Sequence, residues 1–138
     1  MTPFRRGAPL FVQALGLVIV TLVAAQLIAI AVVFTLPPVA TVGLSETAAT
    51  EKGLEFDTHF EKTSGWYSSM RVGATTSGFK VLVEQKTGLI LGAHLIGPGA
   101  EEQINLFAMA MGAGLTANQI KAMIFAYPSF ASDIGSMV

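Results

Sequence analysis

Gly78-Phe-Lys-Val-Leu-Val-Glu84, Gln85-Lys-Thr-Gly88, Leu89-Ile-Leu-Gly-Ala-His-Leu-Ile96 and Gly97-Pro-Gly-Ala-Glu-Glu-Gln-Ile-Asn-Leu-Phe-Ala-Met-Ala-Met111 follow one another without a gap, and their reading decides the fold. Two apolar runs flank a Lys-Thr-Gly turn, which predicts a β-hairpin. Gly97-Pro98-Gly99 then breaks the second strand. Glu101 and Glu102 fall in the first turn of the helix that follows, where negative charge meets the positive end of the helix dipole.

Past its first turn that helix is unusual. From Leu106 to Met111 every residue is apolar, and at 3.6 residues per turn such a run covers the whole circumference and leaves no face for water. One sheet shelters one side only. Burying a Leu, Phe or Met side chain gains roughly 1.5 to 3 kcal/mol, so a wet far side would forfeit several kcal/mol against a net stability of about 5 to 15. The helix therefore asks for a second cover, and a second subunit is the simplest one.

Working toward the N-terminus, Leu54, Phe56, Thr58 and Phe60 alternate with Glu55, Asp57, His59 and Glu61, the period of a half-buried strand. Ser45 is a good N-cap for a helix over residues 46–52, with Glu46 in its first turn and Gly53 past its end. Residues 39–42 form a short strand after Pro37-Pro38. Residues 62–77 are rich in small and hydroxyl side chains, which predicts a loop or bulged strand. Within it, Trp66 and Tyr67 either cover a core edge or form a recognition surface.

Toward the C-terminus, Gly112-Ala-Gly114 stops the long helix, and Thr116-Ala-Asn-Gln119 is a capping box opening a short helix through Ile120 and Met123 to about Phe125. Pro128 breaks it, and Ser129 caps a last turn toward Ile134. The order of elements is an α+β pattern.

Leu10 to Leu36 carries no charged residue, and a bilayer core needs about 20 apolar residues as a helix. The reading is one transmembrane α-helix ahead of the folded domain, with residues 1–37 as membrane segment and 38–138 as domain. A buried core helix and a cleaved signal peptide are the alternatives, although the run exceeds a signal peptide's apolar region of about 7 to 15 residues. Arg5 and Arg6 would hold the N-terminus on the cytoplasmic side. Expected localisation is a single-pass membrane protein. Over the whole chain, apolar residues make up 52% and charged residues 12%, both displaced from the soluble average toward the membrane side.

A formal net charge of -1 gives no electrostatic case for nucleic acid. Cys is 0, which removes disulfides, thiolate metal sites and cysteine nucleophiles together. There is no G-x-G-x-x-G after a strand, no P-loop and no H-E-x-x-H. The glycines at 97 and 99 precede a helix N-terminus, but Glu101 and Glu102 would repel a phosphate there. His59 and His94 lie in separate strands without a nearby second ligand, so no metal site is predicted. Tyr127-Pro128-Ser129 sits between two short helices, where Tyr127 either packs an interface or presents its hydroxyl to a neighbouring subunit.

Pro37-Pro-Val-Ala-Thr-Val-Gly-Leu-Ser-Glu46, Lys86-Thr-Gly-Leu-Ile-Leu-Gly-Ala-His-Leu-Ile-Gly97, Glu102-Gln-Ile-Asn105, Gly114-Leu-Thr116 and Ala126-Tyr-Pro-Ser129 together resemble the C-terminal dimerisation domain of the pyridine nucleotide-disulfide oxidoreductases. Ser64-Gly-Trp-Tyr-Ser-Ser69 and Phe130-Ala-Ser-Asp-Ile134 suggest a glutathione-reductase-like or mercuric-reductase-like branch. The resemblance implies an antiparallel sheet backed by helices and a homodimer, with Leu106, Phe107, Met111, Tyr127 and Phe130 as expected interface residues. In that family a tail His acts as acid/base toward the redox thiols and a Glu orients it. Tyr127 stands at the His position and Ser132 at the Glu position, and neither transfers a proton near neutral pH as His does.

The family's FAD and NAD(P)H domains and its redox cysteine pair have no counterpart here. The expectation is thus a dimerisation domain that holds no cofactor by itself and is inactive alone. The rival is a membrane-tethered interaction module that keeps only the fold. A third reading has Tyr127 supplied in trans to a separately encoded flavoprotein.

Overall fold

The computed structural model describes residues 30–33 and 35–138. Five strands, β1 (Ile30–Val33), β2 (Val39–Gly43), β3 (Phe56–Lys62), β4 (Gly78–Glu84) and β5 (Ile90–Ile96), form one sheet in the order β1-β2-β5-β4-β3. Each neighbouring pair is antiparallel. The helices are α1 (Glu46–Glu51), α2 (Tyr67–Arg71), α3 (Ala100–Gly112) and α4 (Ala117–Lys121), and a 3-10 helix over Phe130–Ser136 closes the chain.

The predicted hairpin is β4 and β5. Its register shifts between Leu82 and Val83, so that Val83 faces Ile90 and Leu82 faces Gly92. A Cβ at Gly92 would lie 2.1 Å from the Leu44 carbonyl oxygen, so this position admits no side chain. Gly99 adopts φ 76° ahead of α3 and leaves room for the Phe130 ring, whose Cδ2 would be 2.8 Å from any Cβ there.

Strand alternation sorts the sheet into two faces. Ala40, Val42, Phe79, Val81, Ala93 and Leu95 point to one side, where α3 lays Ala100, Ile104, Phe107 and Ala110 over β2 and β5. This is the main core. On the other side Lys80 pairs with Glu46 at 2.7 Å and ties down the start of α1. Leu82, which follows Lys80 on that side, is fully buried, as is Ala49 of α1.

Local chemistry sets the helix ends as expected. Ser45 accepts from the Ala48 amide at 3.1 Å, and Thr116 and Gln119 form the reciprocal capping box. Ser129 caps the closing 3-10 helix by accepting from Ser132 N.

The fold corrects four expectations. Of the apolar run read as a membrane helix through Leu36, Ile30–Val33 is a strand paired with β2. Thr35 and Leu36 are not helical, and the remainder of that run, residues 10–29 and 34, lies outside the described residues. Among the described residues no helix is long and apolar enough to cross a membrane. Second, β3 is not half-buried: Phe60 is 65% exposed, because β3 is an edge strand and Phe60, opposite Lys80, lies on the sheet face that α3 does not cover. Third, residues 67–71 are helical instead of loop or strand. Tertiary bonds hold this single turn, with Ser68 donating to Asp133 and Ser69 bonded to Ser77 at 2.9 Å. Fourth, α4 stops at Lys121, short of Phe125.

Candidate functional site

Residues 103–120 carry no charge, and between there and Asp133 only Lys121 does. On the outer side of α3 this neutral stretch comes to the surface. Met109 is 70% exposed, while its neighbours Phe107 and Ala110 are buried under the same helix. After α4, Met123 is exposed and Ile124 stands 99% exposed. Between α3 and this segment runs an apolar groove of about 220 Å³, floored by Phe107, Ile120 and Ile134 and edged by Leu106, Met109 and Met123.

The expected interface residues separate into two groups. Phe107 is fully buried in the core of its own chain and has no surface to give. Met111 is half-buried, and its terminal methyl occupies the space left by Gly43, where a Cβ would approach to 2.6 Å. Leu106 packs partly on the core and partly edges the groove. Phe130 is half-buried with the Arg71 guanidinium 5.9 Å above its ring. Tyr127 is 73% exposed. Met123 and Ile124 lie outside the expected interface set; with α4 ending at Lys121 instead of near Phe125, both side chains stand outside the core.

In the tail, the Tyr127 ring lies against Tyr67 with centroids 6.0 Å apart and planes 28° from parallel. Ser132 donates to the Ser129 carbonyl at 2.6 Å, closing its own turn. Tyr127 and Ser132 are thus engaged separately. Next to them, Asp133 accepts from Ser68. Burial raises its carboxyl above the usual carboxylate range, and the Ser68 hydrogen bond pulls partly back. Gln103, buried in α3, donates to the Phe130 carbonyl and fastens the tail to the helix.

The remaining candidates resolve into packing. Trp66 joins the core edge, its ring 5.8 Å from Phe79 and its Nε1 donating to Glu61 at 3.0 Å. Tyr67, by contrast, stays more than half exposed. His94 reaches the Leu44 carbonyl through Nε2 at 3.1 Å. A carbonyl only accepts, so Nε2 carries a proton, and Nδ1 is hydrogen-bonded to the Thr41 hydroxyl. Among the described residues no group of three or more His, Asp or Glu is placed to hold a metal.

An antiparallel sheet with one long helix across it, and a neutral apolar surface on the outer side of that helix, defines a pairing domain more readily than a reaction centre. The chain belongs to the dimerisation-domain family of the pyridine nucleotide-disulphide oxidoreductases, whose model matches residues 29–138. It is 42% identical over 106 residues to an uncharacterized 19.7 kDa protein in a mercuric resistance operon of Staphylococcus aureus, covering 77% of this chain and 59% of that one. It is 37% identical over 102 residues to the mitochondrial dihydrolipoyl dehydrogenase of Sus scrofa, across 72% of this chain and 20% of the enzyme. The HOCl-induced flavoprotein disulfide reductase RclA of Escherichia coli has the same fold, with a TM-score of 0.78 and 27% identity over 83% of this chain and 26% of RclA. The chain therefore spans about three-fifths of the operon protein and about a fifth of the dehydrogenase.

Proposed function

We propose that this chain works as a self-pairing module: a homodimer formed through the outer side of α3 and the segment after α4, with no redox activity of its own. The observation that carries the reading is Met109, 70% exposed on a helix whose other apolar side chains serve the core. The neutral surface around it suits a second copy, since a two-fold axis sets like against like and charges there would repel. Thiol-disulfide exchange within the chain is excluded by composition, because it has no cysteine. FAD and NAD(P), the cofactors of full-length members, belong on this reading to parts of an enzyme that this chain does not supply. Sedimentation velocity of the full chain in a density-matched neutral detergent tests the pairing. A dimer is expected, and a monomer across the micromolar range would overturn it.

Two finer parts of the reading stand beside this. The charge-free residues 10–29 would tether the module to a bilayer, which protease protection in sealed vesicles would test: an N-terminal segment shaved from outside counts against a span. A separately encoded flavoprotein as the partner is favoured by the exposed Tyr127 ring. There Tyr127→Phe would lower turnover of the mixed complex, and an unchanged rate would remove the idea.

A further inference from the structure

On the sheet face opposite α3, the cross-strand row Lys62, Gly78, Ile96 has a gap at its centre, because Gly78 brings no side chain. The adjacent row, Phe60, Lys80, His94, rises beside it. The gap opens a cavity of about 500 Å³, walled at one end by Ser64 and residues 75–77. Such a volume falls in the range of small-molecule sites, about 300 to 1,000 Å³. Sequence alternation turned Phe60 inward; here it stands 65% exposed at the lip, with the Lys80 ammonium 5.9 Å from its ring.

The electrostatics of the lining are one-sided. It includes Lys62 and Lys80 and no carboxylate. Lys80 donates one of its three N–H groups to Glu46, which lies outside the lining, and keeps two for other acceptors. Among the described residues the only ion pair is Lys80 with Glu46, so Lys62 is left without one. His94 spends both ring nitrogens on Thr41 and Leu44 and serves as wall. An apolar floor of Val39 and Ile96, an aromatic lip and two ammonium groups fit a ligand with an apolar body and one negative end.

We propose that this cavity binds a small amphipathic carboxylate, with its aryl or alkyl body against Phe60 and Ile96 and its carboxylate between Lys62 and Lys80. The site lies on the far side of the sheet from the groove beside α3, so it stands or falls apart from the pairing proposal.

Titration calorimetry on the full chain in a non-ionic amphipol tests it with 4-phenylbutyrate, 4-phenylbutyramide and inorganic phosphate at low salt. The acid is expected to bind saturably and about threefold to fivefold tighter than the amide, the span of a partly exposed ion pair, with the gap closing at high salt. Phosphate, lacking the apolar body, should bind weakest. Lys62→Gln should narrow the difference between acid and amide, Lys80 still favouring the acid. Phe60→Ala should weaken both. These two side chains are exposed, so circular dichroism of the variants should match the parent. Equal binding of acid and amide, phosphate binding as tight as the acid, no saturable heat from the acid, or indifference to both substitutions would overturn the proposal.

Discussion

Met109 and Ile124 are where a single side chain decides between one copy and two. Neither is sheltered by its own chain, so Met109→Asp or Ile124→Asp should leave the fold intact, with a stability change within about 0.5 kcal/mol. In a dimer each would be buried against a like charge. Sedimentation should therefore show monomers for either variant, and a variant that still pairs would move the interface elsewhere. Asp133 gives a different test. Its folded pKa is raised by burial, so the native state holds more protons than the unfolded state as pH climbs past the ordinary carboxylate value. Stability from this group is complete below about pH 4 and is lost as pH rises through the folded pKa. Asp133→Asn still accepts from Ser68 and does not titrate. Thermal melts of the two proteins should diverge over that window, the variant gaining on the parent as pH rises; parallel curves would refute the assignment.

At the level of elements, α3 and α4 depend on different physics. α3 is held by side chains, above all Phe107, enclosed against β2 and β5. Phe107→Ala should cost about 3 to 5 kcal/mol, enough to unfold a marginal domain, and chemical denaturation would read it. α4 is only five residues long, too short to persist on propensity. Its capping box and the bond from Ala117 N to the Gly88 carbonyl at 2.8 Å fix it to the hairpin turn. Thr116→Ala should cost about 1 kcal/mol, with the loss seen as faster amide exchange confined to residues 117–122. Exchange that quickens across the whole domain would mean the cap holds more than its own helix.

For the molecule as a whole, what could be read in advance was what local chemistry enforces. The Lys-Thr-Gly turn, the Gly97-Pro98-Gly99 break and the Ser45, Thr116 and Ser129 caps each act within a few residues, and each element they delimit is present. The misses are all tertiary. The alternation at 54–61 says that a strand forms, but nothing in it says the strand is an edge. Ser68 and Ser69 read as loop residues because Asp133 and Ser77, which hold their helical turn, lie 65 and 8 positions away. Residues 30–33 read as bilayer-bound because an apolar β-edge and the end of an apolar helix have the same composition. The candidate surface was legible in the all-apolar turn of α3, yet the composition could not tell Phe107, turned inward, from Met109, turned out. The pairing of β1 with β2 from Val33↔Val39 to Ile30↔Val42 has a practical sequel. Trimming the chain to begin at Val39, as its apolar head invites, would strip that neighbour and bare the amides and carbonyls of Val39–Gly43. A shortened protein of this kind should grow into thioflavin-positive fibrils on standing while the untrimmed one does not, so any soluble fragment must retain Ile30.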